Sequence, residues 1–338
     1  MKRTIFYAVM VLALQFAFAG IGQCQAWISP KHTGSFSISY LNDYSNEDYF
    51  GRGQHELITP VDVTAPDGTF YPAGTLVDQF GEVRTQGVYF DFAYSITDKL
   101  AVTASLPYLA PKYTVSGDPT NAFFVPHRFP DGSIQLDDGH YHGSFADVGV
   151  RVRYNIMAHP FMLTPFVEYN GPSHDYLYYS HGIVGQHINS AGFGAYAGGT
   201  IKDFYIQGRY GLLFDEKILG ISKKRSTMEL ENGYFFTPAV RGFVVLAAQV
   251  THGGLDIPDG IPGPPVASNP FFFHHSQLTR GNFLNIGFGG QYSFSDRVDF
   301  FGVVAHMLTA RNMHELTYGI TFGVSYGFGG SPQRPCHC

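Results

Sequence analysis

The sequence is poor in charge and in long apolar runs, and each shortage excludes a class of protein. Charged residues make up 14% of the chain and form no acidic or basic block, which argues against a disordered protein or a charged interaction tail. The formal net charge of -6 offers no basic surface to nucleic acid. After residue 26 there is no run of about 18 apolar residues, so no membrane-spanning helix is predicted.

Tryptophan occurs once, whereas glycine, phenylalanine and tyrosine are abundant, with 40, 31 and 22 copies. Apolar residues alternate with small or polar ones along many segments. One face of the last such segment carries Leu316, Tyr318, Ile320, Phe322, Val324, Tyr326 and Phe328. The opposite face carries only threonine, serine and glycine. Because successive side chains of a strand point to opposite faces, this alternation predicts strands with one apolar and one small or polar face.

The N-terminus has the order of a secretory signal peptide. Two basic residues precede an apolar run, and small residues follow the run at Ala19 and again at Ala26. We expect cleavage after Ala19 or after Ala26. The chain is therefore predicted to divide into a signal peptide at residues 1–26, a single domain at 27–328 and a short tail at 329–338.

The alternating segments predict an all-β, closed antiparallel barrel of the up-and-down type. They are longer than the about 5–6 residues of soluble strands and suit the about 9–11 that cross a bilayer at a tilt. Short connections alternate with long ones, as in outer-membrane barrels with short periplasmic turns and long outer loops. Twelve strands are predicted, at about 34–45, 82–96, 100–115, 143–156, 162–171, 188–199, 204–214, 229–237, 243–252, 281–294, 298–309 and 315–328. The first long loop leaves ten or fourteen strands as alternatives.

Residues 147–156, DVGVRVRYNI, indicate which face of the barrel meets lipid. Val150 and Val152 share an apolar face, whereas Arg151 and Arg153 share the other. An arginine facing the middle of a bilayer costs about 2–4 kcal/mol, so the arginines are predicted to face the lumen. The same alternation predicts polar lumen residues Asp91, Asp147, Arg151, Arg153, Glu168, Gln207 and Arg209, and aromatic ones Tyr89, Phe166 and Tyr205.

These lumen residues leave two interpretations open. The charges either line a narrow polar passage or pair across the bore and plug it, because buried charges need partners. The aromatic rings would give an aromatic solute an apolar surface along a passage. Strand 298–309 has no assigned orientation, since both of its faces mix Phe, Val and Ala. Two loops rich in Phe and His, at residues 121–128 and 269–275, are interpreted as loop core rather than as a hydrophobic lid.

No metal, other cofactor or catalytic site is predicted. His140 and His142, and the tail Cys336-His337-Cys338, lack third and fourth ligands at the spacing of a zinc site. Some outer-membrane barrels hydrolyse lipids with serine and histidine on the outer wall. The nearest fragments here, around Ser144 and His252, have no convincing partner set. We therefore expect no enzyme activity, and a lipid hydrolase stays an alternative.

Residues 144–155, SFADVGVRVRYN, resemble the signature of the family described as MetA-pathway of phenol degradation outer-membrane proteins. Residues 101–108, AVTASLPY, support the resemblance. The resemblance implies a β-barrel of the Gram-negative outer membrane that passes hydrophobic or aromatic compounds. The family has no defined catalytic residues that could be assigned to positions of this sequence. The expected partners are outer-membrane lipid and lipopolysaccharide, the barrel-assembly machinery and a small hydrophobic or aromatic solute. A receptor or structural barrel with a plugged lumen is the other alternative.

Overall fold

The structure is a computed structural model that describes residues 26–45, 48–49, 63–64, 70–71, 81–115, 139–178, 182–256, 262 and 270–330. These residues form a closed antiparallel barrel of twelve strands, which confirms the predicted fold and strand number. Each strand pairs with its neighbours in chain order, and the last strand pairs with the first. No helix in the described part of the chain is long and apolar enough to cross a membrane.

The barrel strands are numbered in chain order. They are β1 (Gly34–Ser45), β2 (Gly81–Ser95), β3 (Leu100–Val115), β4 (Asp147–Tyr154), β5 (Met162–Pro172), β6 (Ser190–Ile201), β7 (Phe204–Asp215), β8 (Lys223–Thr237), β9 (Val240–Gly253), β10 (Asn282–Ser293), β11 (Val298–Arg311) and β12 (Tyr318–Phe328). One further short strand, Ser144–Phe145, pairs with β3. Two short pairs, Asp48–Tyr49 with Met313–His314 and Val63–Thr64 with Phe70–Tyr71, stand apart from the barrel. Two short helices, α1 (Pro270–Phe273) and α2 (His275–Leu278), lie between β9 and β10.

The two faces of the wall follow the alternation of the sequence. Side chains that point outward are apolar and exposed, among them Val167 at 59%, Phe193 at 55% and Phe288 at 59%. Closing the sheet gives every strand two hydrogen-bonded neighbours, so no strand edge is left open. The barrel therefore presents an apolar outer surface and a sheet that is closed around its whole circumference, as a sheet in lipid requires.

Short turns connect the strands at one end of the barrel, called here the turn end, and longer connections lie at the other, the loop end. Three of the turns contain the same hydrogen bond, in which a side-chain hydroxyl accepts from the backbone N–H of the residue three positions later. Thr97 Oγ1 accepts from Leu100 over 2.9 Å, and Thr237 and Ser295 accept from residues 240 and 298 over 3.1 Å each. Such hydroxyl-capped turns replace a backbone turn bond and fix the start of the next strand.

The predicted start of β8 is wrong by six residues, because the strand begins at Lys223 and not at residue 229. The segment 223–227, KKRST, is polar at every position and so carries no alternation signal. In the barrel, Lys223 and Arg225 are buried inside beside Asp215. Lys224 lies outside, with its Nζ 5.6 Å from the centre of the Phe214 ring. The predicted long loop at 215–228 is accordingly reduced to residues 216–222.

The structure assigns the orientation of β11. Its inward residues Phe301, Val303 and Met307 are buried, whereas Phe300 and Val304 are exposed outside. Inward residues of β9, β10 and β11 belong to one apolar cluster, which contains Val245, Ala247, Phe283, Met307 and Ala310. This part of the barrel interior is therefore packed with apolar side chains.

Candidate functional site

A cavity of about 1310 Å³ lies inside the barrel. At the turn end its lining includes Pro238, Ala239 and Arg297, and near the loop end it includes Val184 and Gln186. It therefore extends along the barrel from one end toward the other. A barrel of about eight strands is filled by its own side chains, and sixteen leave an aqueous channel, so a bore of intermediate width suits twelve strands.

All ten lumen candidates lie inside the barrel, but they do not all reach the cavity. Those that line it are Tyr89, Asp91, Asp147, Arg151, Arg153, Glu168 and Arg209. Phe166, Tyr205 and Gln207 are covered, with exposed fractions of 4%, 0% and 7%. The guanidinium carbons of Arg151 and Arg209 lie 5.0 and 5.4 Å from the Phe166 ring centre. The expectation of an aromatic surface at Phe166 and Tyr205 is therefore wrong, because arginine side chains lie over both rings.

Glu168 on β5 is the centre of the first charged cluster. It lies directly opposite Arg151 on β4, which donates to Glu168 Oε2 from Nε over 3.0 Å and from Nη2 over 2.6 Å. Arg209 on β7 donates from Nη2 to both carboxylate oxygens over 3.2 and 3.3 Å. Arg151 also donates to the Tyr196 hydroxyl over 2.5 Å. One carboxylate thus holds two guanidinium groups, which offsets the cost of taking these charges out of water.

Glycines on β6 and β7 allow Glu168 on β5 to reach across β6 to Arg209 on β7. A Cβ at Gly194 on β6 would lie 2.6 Å from Phe166 Cζ, so the ring occupies the space above that glycine. A Cβ at Gly211 on β7 would lie 3.4 Å from Glu168 Oε1. The inner face of β6 thus carries glycine at positions 192, 194 and 198 on either side of Tyr196, which leaves room for side chains of β5 and β7.

A second cluster lies at the turn end, and sequence reasoning missed most of it. Tyr205 and Gln207 donate to Glu231 Oε1 over 2.5 and 3.1 Å. Arg241 donates to the Tyr205 hydroxyl over 3.2 Å and to Gln291 Oε1 over 2.6 Å. Glu231 had a usable signal, since charged residues at 229 and 231 flank an apolar residue. Arg241 had no such sequence signal, because the sequence of residues 237–242 resembles a turn.

A third cluster lies near the loop end and involves the corrected start of β8. Arg225 donates to Asp215 Oδ1 from Nε over 3.0 Å and from Nη2 over 2.7 Å, and to Ser190 Oγ over 2.9 Å. Ser190 donates to the same Asp215 oxygen over 2.8 Å. Lys223 Nζ lies 4.0 Å from Asp215 Oδ2. As in the first cluster, the charges are buried and paired within two or three neighbouring strands.

The ion pairs run along the wall and not across the bore. Arg151 and Glu168 belong to adjacent strands, as do Asp215 and Arg225. Arginine side chains held in this way lie along β4–β9 and do not bridge to the opposite wall. Among the described residues of β1–β3 that line the cavity, Asp91 is the one charged side chain, beside hydroxyl groups such as Ser37. The bore thus has a cationic wall facing a mostly neutral one.

Residues 182–189 and α2 form a cap at the loop end. Tyr176 donates to Asp147 at the start of β4, and the Gln186 N–H donates to the same carboxylate over 3.2 Å. Burial and the Asp147 carboxylate raise the pKa of Tyr176, so its hydroxyl stays a donor. Gln277 on α2 donates to the Gln186 carbonyl over 2.9 Å. The cap is therefore tied both to the barrel wall and to the helix, and it narrows the loop end of the cavity.

Two serine–histidine contacts occur at the loop end. Ser144 Oγ lies 3.1 Å from His174 Nε2, and Ser226 Oγ lies 2.9 Å from His252 Nε2. His174 Nδ1 contacts Ser173 Oγ at 2.9 Å. Within the described ranges, no carboxylate is in hydrogen-bonding distance of His174 or His252. A triad needs such a group to orient the imidazole.

Metal-binding residues do not gather in the described part of the chain. No group of three His, Cys, Asp or Glu side chains there could hold a metal ion, and this includes His140 and His142. The tail Cys336-His337-Cys338, the loop at 121–128 and residues 1–25 of the expected signal peptide lie outside the described residues.

No family model matches the sequence, and no curated protein matches it. Among solved structures, the barrel is similar to the COG4313 outer membrane channel from Pseudomonas putida F1, with a TM-score of 0.60 and 10% identity over 90% of this chain and 99% of that one. The translocator domain of the autotransporter NalP from Neisseria meningitidis overlaps more loosely, with a TM-score of 0.46 and 12% identity over 97% and 98% of the two chains. The first likeness shows a shared barrel fold. The resemblance of residues 144–155 to the phenol-degradation family stays a prediction.

Proposed function

We propose that this chain is an outer-membrane channel that passes small solutes through its lumen. The observation that carries the proposal is the cavity of about 1310 Å³, whose charged side chains pair along the wall and do not bridge the bore. The apolar outer face and the fold shared with an outer membrane channel support the membrane location. A plug made of charge pairs would need contacts across the bore, and the three clusters make none.

The turn end would face the periplasm, and the loop end would face outward. In single-chain bacterial barrels the short turns are periplasmic, and here β1 begins and β12 ends at the turn end. Export by a signal peptide and insertion by the barrel-assembly machinery would place the chain there. Outer-membrane lipid and lipopolysaccharide would then contact exposed outward side chains such as Phe193 and Phe288.

The solutes would be small aromatic compounds that carry a polar group. Tyr89 and Phe301 line the cavity together with several arginines. A guanidinium group attracts the face of an aromatic ring, and the hydroxyl-bearing wall of β1–β3 offers hydrogen bonds to a polar substituent. The family resemblance of residues 144–155 supports the same class of solute.

Single-channel conductance in planar bilayers tests the proposal, with phenol and cyclohexanol as matched probes. Both probes are six-membered rings with one hydroxyl, but only phenol has a π face. We expect steady conductance from heat-modifiable, folded protein, and a larger reduction of current by phenol than by cyclohexanol. Equal effects of the two probes would contradict the aromatic preference, and folded protein that conducts neither in its original form nor after substitutions that widen the lumen would contradict the channel.

We further propose that the barrel is not an enzyme. The serine–histidine contacts at Ser144 and Ser226 support this view, because no carboxylate among the described residues orients either imidazole. Hydrolysis of phospholipid by purified protein would contradict the proposal.

A further inference from the structure

Residues 26–30, called here the strap, enter the lumen at the turn end. Residues 31–33, which follow the strap, are fixed to the rim beside β2. The Lys31 N–H donates to Asp98 Oδ1 over 2.8 Å, and the His32 N–H donates to the Ser95 carbonyl over 2.8 Å. The Ser95 N–H in turn donates to the Thr33 carbonyl over 2.9 Å. One end of the strap is therefore held at the turn between β2 and β3.

The other end of the strap is buried against the far wall. Ala26 has no exposed surface, and its N–H donates to Gln207 Oε1 on β7 over 3.2 Å. Its carbonyl accepts from Thr164 Oγ1 on β5 over 2.8 Å, and Thr164 is also fully buried. In a twelve-stranded barrel whose strands follow chain order, β7 stands opposite β1. The strap thus crosses the bore, and an extended chain of this length spans roughly 16–18 Å.

The seat of the strap is built on β6. A Cβ at Gly198 would lie 2.9 Å from Ala26 Cβ and 3.1 Å from Trp27 Cη2, so any larger residue there would meet the strap. Ala26 packs with Phe166 and Tyr196, and Trp27 packs against this group. The next residue, Gly199, points outward, and a Cβ there meets nothing closer than Phe161 Cβ at 4.0 Å.

We propose that the strap is a gate at the periplasmic mouth, and that solutes pass freely only when it leaves its seat at Gly198. The gate rests on the channel proposed above. Two hydrogen bonds and a small apolar contact hold the Ala26 end of the strap. Each strand of the wall, in contrast, is hydrogen-bonded to a neighbouring strand on both sides. The strap is therefore held more weakly than the strands around it, and it opens more easily than they do. Because Ala26 forms the far contact, the gate requires cleavage ahead of Ala26, which selects Ala19 between the two expected sites.

A pair of substitutions on β6 tests the gate without altering the strap or the signal peptide. Gly198→Leu places a side chain in the seat, and Gly199→Leu places the same side chain on the lipid face one residue away. We expect a several-fold rise in single-channel conductance for Gly198→Leu. Gly199→Leu should conduct as the original protein does. Heat-modifiable migration of both variants establishes that they fold.

Trp27 gives a second readout, because it is the single tryptophan of the chain. Its emission therefore reports on the strap alone. We expect Gly198→Leu to shift that emission to longer wavelength and to increase its quenching by iodide, with no change for Gly199→Leu. Intact-mass measurement of protein purified from outer membranes should show that Ala26 is retained.

The outcomes separate the gate from the channel. Conductance in the original protein that Gly198→Leu leaves unchanged, or Trp27 quenching that does not rise, would overturn the gate and spare the channel. A mature chain that begins at Trp27 would also overturn the gate. If neither the original protein nor Gly198→Leu conducts, while Trp27 becomes accessible to iodide in the variant, the strap leaves its seat but opens no passage. That result would overturn both the channel and the gate.

Discussion

Arg151 lies directly opposite Glu168 on the neighbouring strand, and its guanidinium group donates two hydrogen bonds to one oxygen of that carboxylate. The residues on either side of it, Val150 and Val152, point outward and are 39% and 38% exposed. Lumen and membrane surface are therefore separated by a single step along β4. Substitutions of adjacent residues should have opposite kinds of effect.

Val150→Arg should impair insertion, whereas Arg151→Gln should not. An arginine facing lipid near the midplane costs about 2–4 kcal/mol, and Gln at 151 still faces the lumen and can donate to Glu168. The measurement is the yield of heat-modifiable protein folded into vesicles. Normal insertion of Val150→Arg together with failure of Arg151→Gln would reverse the assignment of the two faces.

Glu168→Gln should destabilise the barrel more than the double variant Arg151→Gln/Glu168→Gln. The single change leaves two guanidinium groups without their shared carboxylate, and breaking a buried ion pair costs about 3–5 kcal/mol. Removing Arg151 as well takes away one of these unpaired charges. The measurement is the free energy of unfolding by urea in lipid, for the original protein and for the single and double variants.

Glu82→Gln is the matched control for Glu168→Gln. Its carboxylate lies 3.8 Å from Arg84 Nε on the exposed surface, and such pairs contribute about 0–1 kcal/mol. If Glu82→Gln and Glu168→Gln lower stability equally, then burial of the first cluster does not determine its energy.

The alternation of side chains predicted most of the fold, and it failed where both faces are polar. The predicted bounds of β1 and β3 agree with the structure, because apolar residues recur at every second position from Phe36 to Tyr40 and from Leu100 to Tyr108. The start of β8 was missed because residues 223–227 contain no apolar residue. A two-residue period cannot appear in a uniformly polar run, whatever its conformation.

The contacts of the lumen could not be predicted in the same way. Alternation places Glu168 and Arg209 inside, but their contact depends on the register of three strands and on small residues of β6. The contact of Ala26 with Gln207 joins residues 181 positions apart. No local pattern encodes such a separation, so a sequence that resembles the end of a signal peptide gave no indication of a strap.

Ser226→Ala and His252→Ala should leave lipid hydrolysis at the level of a blank. The two side chains are in contact, but a nucleophilic serine needs a base that a third group orients. Release of fatty acid from labelled phospholipid is the measurement, with Ser144→Ala as a second test. Activity that is present in the original protein and absent in Ser226→Ala would establish a hydrolase.

Asp256 should give the connection between β9 and α1 a dependence on pH. It accepts hydrogen bonds from Arg280, from Arg311 over 2.8 Å and from Asn312 over 2.7 Å. Burial raises the pKa of Asp256, but the hydrogen bonds from Arg280 and Asn312 and the charges of both arginines outweigh it and hold the pKa below its usual value.

The sign of the effect follows from this lowered pKa. The stabilisation is fully present above the unfolded value of about 3.9 and is lost as the pH falls through the lower folded pKa. Hydrogen exchange can follow the loss at two amides, because Leu255 and Arg280 donate to the carbonyls of Leu278 and Leu255 over 2.8 Å each. We expect their protection, corrected for intrinsic exchange rates, to fall below about pH 4.

Asp256→Asn should abolish this dependence on pH, with low protection of both amides already at pH 7, because asparagine carries no charge for Arg280 and Arg311. Asp203→Asn, in the exposed turn between β6 and β7, should leave the profile of the original protein unchanged. If protection at Leu255 and Arg280 falls in Asp256→Asn at the same pH as in the original protein, another carboxylate controls the connection. The ion pairs of Asp256 would then be surface contacts without consequence for the loop end.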